Sequence, residues 1–187
     1  MIVIVSGTNR PGSNTRKVAA QVEAIYQSLG APTRMLDLAG LPPELFSPTS
    51  YEVKPTAFGQ YTELVLASDG LVIVTPEYNG SLPGVLKYFI DMLPFPESFE
   101  KRPVCFVGLA AGLWGALRPV EQLQAIFGYR NAFVYPERVF MPHIHKLLDE
   151  SGGFTKPDLA ERLQAQAAGF VDFVEKLRGK QLRRPAA

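Results

Sequence analysis

At 187 residues, with 19 Lys plus Arg against 18 Asp plus Glu, the chain is long enough for one domain with a sizeable core and carries a formal charge of +1. That balance supplies no general pull toward nucleic acid or a membrane surface, so a small-molecule partner is expected. No run approaches the roughly 18 apolar residues of a membrane span, the first residues enter an apolar stretch without a basic leader, and the expectation is a cytoplasmic protein with no nucleic-acid or membrane partner.

Ile2 to Val5 reads as a short buried strand. The stretch S-G-T-N-R-P-G-S-N-T follows, rich in hydroxyls and amides. Asn14 or Ser13 is placed to cap a helix whose buried stripe is Val18, Ala19, Val22, Ile25, Tyr26 and Leu29, ended by Gly30. Such a loop suits a phosphate dianion. First-turn N–H groups, the helix dipole, the hydroxyls of Thr8, Ser13 and Thr15, and the Arg10 guanidinium all point toward one place. An ordinary polar loop between strand and helix is the alternative. Thr33 to Leu38 is a second strand. From Ala39 to Pro55, the prolines at 42, 43, 48 and 55 exclude regular structure over most of the span. Leu41, Leu45, Phe46 and Tyr51 in the same span can pack on their own domain, over a ligand or on a second subunit.

Phe58, Tyr61, Leu64, Val65 and Ala67 have helical spacing and lead into Leu71 to Val74, a β-branched run suited to a strand buried on both faces and stopping at Pro76. Asn79, Gly80 and Ser81 are turn formers, and Val85, Leu86, Phe89 and Ile90 mark a helix from about Leu82 to Leu93. In an open parallel sheet such a junction is where ligands sit, so the stretch from Thr75 to Asp91 is the expected centre of the site. Pro103 to Leu109 is a fourth apolar strand, in which Cys105 is expected buried and inert. In the following A-A-G-L-W-G-A, Gly112 and Gly115 permit either close approach of a ligand or a simple turn. Leu117, Val120, Leu123 and Phe127 continue as a helix to Gly128. Asn131 to Tyr135 is the last strand, Val139 to Pro142 a short extended piece beyond it, and Leu159 to Leu177 a long amphipathic helix before a solvated basic tail at Lys180, Arg183 and Arg184. Strand and helix thus alternate five times, which predicts an α/β doubly wound five-stranded parallel sheet with helices on both faces, one domain over 1–187.

The first loop carries neither G-x-G-x-x-G nor G-x-x-x-x-G-K-S/T, so a dinucleotide or ATP is not its expected ligand, and no G-x-S-x-G elbow is present. His143 and His145, in P-H-I-H, lie far from any nucleophile and have no second ligand cluster, so they read as surface or interface histidines rather than metal ligands. Glu77, Asp91, Glu97 and Glu100 are carboxylates near the expected site, with no spacing that pairs them as acid and base. What remains is a phosphate-bearing planar cofactor, with its phosphate on the first loop and its ring across the loops after the third and fourth strands.

G-T-N-R-P-G-S-N-T at the first helix and P-E-Y-N-G-S-L-P-G-V-L-K-Y-F-I-D after the third strand together resemble the NAD(P)H-dependent FMN reductase family of flavodoxin-like fold, which includes quinone, chromate and azo-dye reductases. The resemblance spans the chain in order. It implies that Thr8, Arg10, Ser13, Asn14 and Thr15 hold the FMN phosphate, and that Pro76, Glu77, Tyr78 and Asn79 line the ring edge, largely through backbone groups. It also implies that Gly112 lies on the loop covering the flavin's other side, where this chain has A-A-G-L-W-G in place of the serine and glycine pair of many members. The implied activity is ping-pong: hydride passes from NADPH or NADH to bound FMN, then to a small acceptor such as free flavin, quinone, chromate or an azo compound, with no protein acid or base in the hydride step. A homodimer or homotetramer is implied too, with Phe46, Tyr51 and Trp114 as interface candidates. The alternative is a flavodoxin-like electron carrier or a flavin-binding sensor without NAD(P)H activity. Carriers of that kind are strongly acidic, and this chain is not.

Overall fold

Strands that are apolar at nearly every position need cover on both faces, and this chain supplies it. The computed structural model describes residues 1–181, with side chains described as far as Arg178. The strands β1 (Ile2–Ser6), β2 (Thr33–Asp37), β3 (Gly70–Pro76), β4 (Pro103–Leu109) and β5 (Phe133–Met141) form one parallel sheet in the order β2-β1-β3-β4-β5. That order is the flavodoxin-like one, with its winding reversed between β1 and β3. One face is covered by α1 (Asn14–Ser28) and α5 (Pro157–Gln181), whose Val18, Val22, Leu163 and Phe170 pack on Ile4, Val72, Val74 and Val107. On the other face α2 (Gly59–Leu66), α3 (Gly84–Met92) and α4 (Leu117–Tyr129) set Val65, Leu86, Phe89, Leu123 and Phe127 against Val3, Val5, Ile73 and Phe106.

The first helix starts as its capping residues predict. The Ser13 hydroxyl accepts the Arg16 N–H at 3.2 Å, and Gly30 follows the C-cap in the left-handed region. Cys105 is fully buried in the sheet. Burial pushes its thiol pKa up, so no thiolate forms at neutral pH and the group is inert.

β3 ends at Pro76 as expected, with Thr75 and Pro76 still paired to Gly108 and Leu109, because a proline that ends a strand forfeits only one donor. Two expectations are corrected. The separate pieces 131–135 and 139–142 are one strand, β5, whose register against β4 jumps between Val104 and Phe106. Pro136 has no N–H to pair, and the edge position of β5 tolerates the interruption. Second, the span from Ala39 to Pro55 is not irregular over most of its length. With its flanks it forms four single-turn 3-10 helices, Leu38–Gly40, Pro43–Phe46, Pro48–Tyr51 and Thr56–Phe58; Pro43 and Pro48 open two of them, where a proline costs nothing because that N–H has no helical partner. The segment packs on its own fold. Leu38, Leu41 and Leu45 are in the core, Tyr88 Oη donates to the Leu45 carbonyl at 2.8 Å, and the rings of Phe46 and Tyr51 lean on the Tyr88 ring at 5.2 and 6.0 Å. The basic tail expected at Lys180, Arg183 and Arg184 lies outside the described residues and side chains.

Phe170 is the largest load on the α5 face: it is fully buried and its ring lies where a side chain on Gly70 would stand, 3.1 Å from the ideal Cβ position. Phe170→Ala is therefore expected to lower unfolding free energy by about 3 to 5 kcal/mol with little change in slope, as read from urea denaturation.

Candidate functional site

At the carboxyl ends of β1 and β3 the two strands come so close that only glycine fits at position 7. A Cβ there would stand 2.7 Å from the Val74 carbonyl oxygen, while the Gly7 N–H donates to that same carbonyl at 2.8 Å. The loops leaving the two strands therefore rise side by side. Between them lies a cleft of about 400 Å³, within the range of small-molecule sites. Its walls are Arg10 to Thr15 from the loop after β1, Pro76 to Tyr78 from the loop after β3, Leu109 to Ala111 from the end of β4, and Ile144 beyond β5.

The first wall is a set of unused donors. Among the described residues, the N–H groups of Gly12, Ser13, Asn14 and Thr15 donate to no protein acceptor, since they form the entry and first turn of α1. Ser13 and Thr15 are themselves buried, and the Arg10 guanidinium has no carboxylate partner among the described ion pairs. Consecutive free N–H groups at the positive end of a fifteen-residue helix are an anion cradle. Thr8, almost fully buried, stands behind it. Its hydroxyl accepts the Arg10 N–H at 3.3 Å and shares a 2.8 Å hydrogen bond with the Tyr78 hydroxyl. Whichever oxygen donates in that pair, one proton of the two hydroxyls is left for a further acceptor.

The second wall is a tight turn. Tyr78 and Ser81 exchange backbone hydrogen bonds of 2.9 and 3.1 Å, and Asn79 and Gly80, with φ of 52° and 76°, occupy the two positive-φ positions that such a turn requires. The Glu77 N–H extends the sheet pairing by donating to the Leu109 carbonyl at 3.2 Å, and the Glu77 carboxylate meets Arg118 of α4 at 3.4 Å.

The third wall is fastened to the end of β5. The Ala110 N–H donates to the Met141 carbonyl, the Ile144 N–H to that of Ala110 and the His143 N–H to that of Gly112, at 3.1, 3.0 and 3.3 Å. His143 Nδ1 lies 3.1 Å from the Ala111 carbonyl, and because a carbonyl only accepts, Nδ1 carries the proton.

Of the residues expected at the site, Arg10, Ser13, Asn14, Thr15, Pro76, Glu77 and Tyr78 line the cleft, and Thr8 is bonded to one of them. Asn79 sits at the turn's tip and Gly112 past the wall, and neither lines the cleft. Gly115 serves the fold rather than a ligand: its φ is 57° and a Cβ there would stand 2.9 Å from the Met141 nitrogen. Asp91, Glu97 and Glu100 are not near the site. Asp91 pairs with Lys87 in the last turn of α3, and Glu97 and Glu100 belong to the segment entering the amino end of β4. Pro11, Gly12, Leu109 to Ala111 and Ile144 were missed. The last residue of each parallel strand and the residue after it are the signal that finds Leu109 and Ala110 once the register is known.

The cleft fits the FMN that the resemblance implies. Free donors and a guanidinium at one end suit the phosphate, and Pro76, Leu109, Ala110 and Ile144 give an apolar seat at the other.

Comparison with known proteins agrees. The family model for NADPH-dependent FMN reductases matches residues 1–146. An NAD(P)H-dependent FMN reductase of Pseudomonas aeruginosa is 30% identical over 94% of this chain and 95% of its own length. A quinone reductase of Escherichia coli is 27% identical over 95% of this chain and 96% of its own. Among solved structures, the NAD(P)H:(acceptor) flavoenzyme FerB of Paracoccus denitrificans superposes with a TM-score of 0.77 at 24% identity, covering 94% of this chain and 96% of that one, which establishes the shared fold.

Gly7→Ala is the direct test of the close approach that creates the cleft. The added methyl meets backbone, which yields only by separating the loops, so about 1 to 3 kcal/mol of destabilisation is expected in urea unfolding of the protein without added ligand.

Proposed function

Because the chain belongs to the NADPH-dependent FMN reductase family and is an FMN-binding NAD(P)H oxidoreductase, we propose that the loop after β1 holds the FMN phosphate and that the walls after β3 and β4 hold its ring. The observation that carries this reading is the run of N–H groups from Gly12 to Thr15 without a protein acceptor among the described residues, beside Arg10, which has no carboxylate partner among the described ion pairs. FMN, when bound, takes hydride from the nicotinamide and passes the electrons to an acceptor.

The protein's own part is binding and orientation. The N–H groups of Gly12 to Thr15, with the Ser13 and Thr15 hydroxyls and Arg10, bind the phosphate, while Ser13 at the same time caps α1. With Tyr78 donating in their shared bond, the Thr8 hydroxyl proton would be free for the phosphate. Pro76, Glu77, Tyr78, Ala110 and Ala111 would hold the ring, with Leu109 and Ile144 completing the lining of the seat. Glu77 is held by Arg118 and assigned no proton transfer. A small molecule is the acceptor, and a quinone is the class favoured by the likeness to quinone reductases. No described helix is long and apolar enough to cross a membrane. The chain acts as one domain and associates with itself through a surface that includes Phe46, Tyr51 and Trp114, whose side chains are exposed.

Anaerobic addition of NADPH and then NADH to the FMN-loaded protein is expected to bleach the flavin absorbance without a mediator; flavin that stays oxidised until dithionite is added would overturn the reading. Arg10→Ala is expected to weaken FMN binding by about 1.5 to 3 kcal/mol in calorimetric titration, and an unchanged affinity removes the phosphate loop as the site. Sedimentation is expected to give a dimer or tetramer, a monomer excluding the proposed surface.

A further inference from the structure

Two residues of α4 grip the turn after β3 from outside the cleft. Arg118 and Gln122 are spaced i, i+4 and so share one face of the helix. Arg118 meets the Glu77 carboxylate at 3.4 Å, on the side where the chain enters the turn, and its Cδ lies 3.9 Å from the Cβ position of Gly80. Gln122 Oε1 accepts from the Ser81 hydroxyl at 2.8 Å and from the Leu82 N–H at 3.2 Å, on the side where the chain leaves it. The Leu82 N–H can only donate, so the amide oxygen must be the atom that faces it and the side chain has one orientation. Both lone pairs of that oxygen are occupied by residues 81 and 82.

From these contacts we infer that Gln122, with Arg118, is a positioning residue for the flavin ring, acting through the turn from Tyr78 to Leu82 without touching the cleft. The inference rests on the function proposed above. The turn needs such a hold. Its two tip residues are both in the left-handed region, and its internal ties are the two backbone bonds between Tyr78 and Ser81. α3 begins just after it, with Pro83 at the cap position and no side-chain cap of its own. The Leu82 N–H therefore takes its partner from a different helix. Tyr78 in turn carries the bond to Thr8, so a turn that shifts at its leaving end moves the cleft wall and the support of the phosphate loop together. Because α4 is fixed to the core by Val120, Leu123 and Phe127, the hold refers the turn to the sheet rather than to another loop.

Three variants separate this role from a merely structural one. Gln122→Leu keeps the bulk and removes the acceptor, Gln122→Glu keeps an acceptor oxygen, and Ser81→Ala removes one of the two bonds. Amide hydrogen exchange of residues 78–82 in the protein without FMN is expected to be about fivefold faster in Gln122→Leu, within about twofold of the parent in Gln122→Glu, and intermediate in Ser81→Ala. With FMN loaded, the single-turnover rate of flavin reduction by NADPH is expected to fall about fivefold in Gln122→Leu with an unchanged melting temperature, to recover in Gln122→Glu, and the visible circular dichroism of the flavin to change in step. Parent-like exchange at residues 78–82 in Gln122→Leu overturns the inference, as does a lowered melting temperature with parent-like reduction and dichroism. If the parent protein itself is not reduced by either nucleotide, the proposed function fails, and the exchange data still decide whether Gln122 holds the turn.

Discussion

The site depends on the contact between Gly7 and the end of β3. In a sheet wound both ways from a central strand, β1 and β3 are neighbours whose following helices leave to opposite faces, so their loops diverge unless something keeps them together. Here the Gly7 N–H bonds to the Val74 carbonyl, and a missing Cβ lets the backbones touch. One step further along, Thr8 and Tyr78 join the two loops by their hydroxyls. The loop that offers free N–H groups and the loop that presents a tyrosine thus form one body. A phosphate and a planar ring belonging to one molecule require just such a fixed separation between their two binding surfaces.

The carboxyl ends of the strands and their amino ends are built on opposite plans. At the amino ends charged groups are paired. The Arg102 guanidinium, largely desolvated, donates to the carbonyls of Ser98 and Glu97 at 2.9 and 3.0 Å and to that of Ser68, and Asp69 takes Arg178 at 3.2 Å. At the carboxyl ends donors are left over, from Gly12 to Thr15. Helix-entry N–H groups that open onto a cleft without a protein acceptor are where an outside partner can supply one. The apolar cores on the two faces of the sheet make this asymmetry tolerable, since they provide the cohesion that the open end does not.

How far the sequence could be read follows from the range of each interaction. The alternation of strands and helices and the Ser13 cap depend on neighbours within a few positions, and both were legible. So was the turn at Asn79 and Gly80, because few residues accept positive φ at two successive positions. Contacts across the sheet were not legible. That Pro136 interrupts β5 without ending it depends on its edge place in the strand order. That Gly115 packs against Met141 and Pro142 depends on the course of a segment 26 residues later. The proline-rich span from Ala39 to Pro55 misled for another reason: proline disfavours long helices but is compatible with single 3-10 turns, and the buried Leu41 and Leu45 decide the outcome.

Trp114 is the chain's one tryptophan, and it stands more than half exposed on the loop from β4 to α4, three residues beyond Ala111 in the cleft wall. Its indole emission overlaps flavin absorption, so energy transfer to a bound flavin quenches it in proportion to occupancy. The molecule therefore carries a native optical gauge at the rim of its own cleft, and filling of the cleft can be followed from the protein's side without a label.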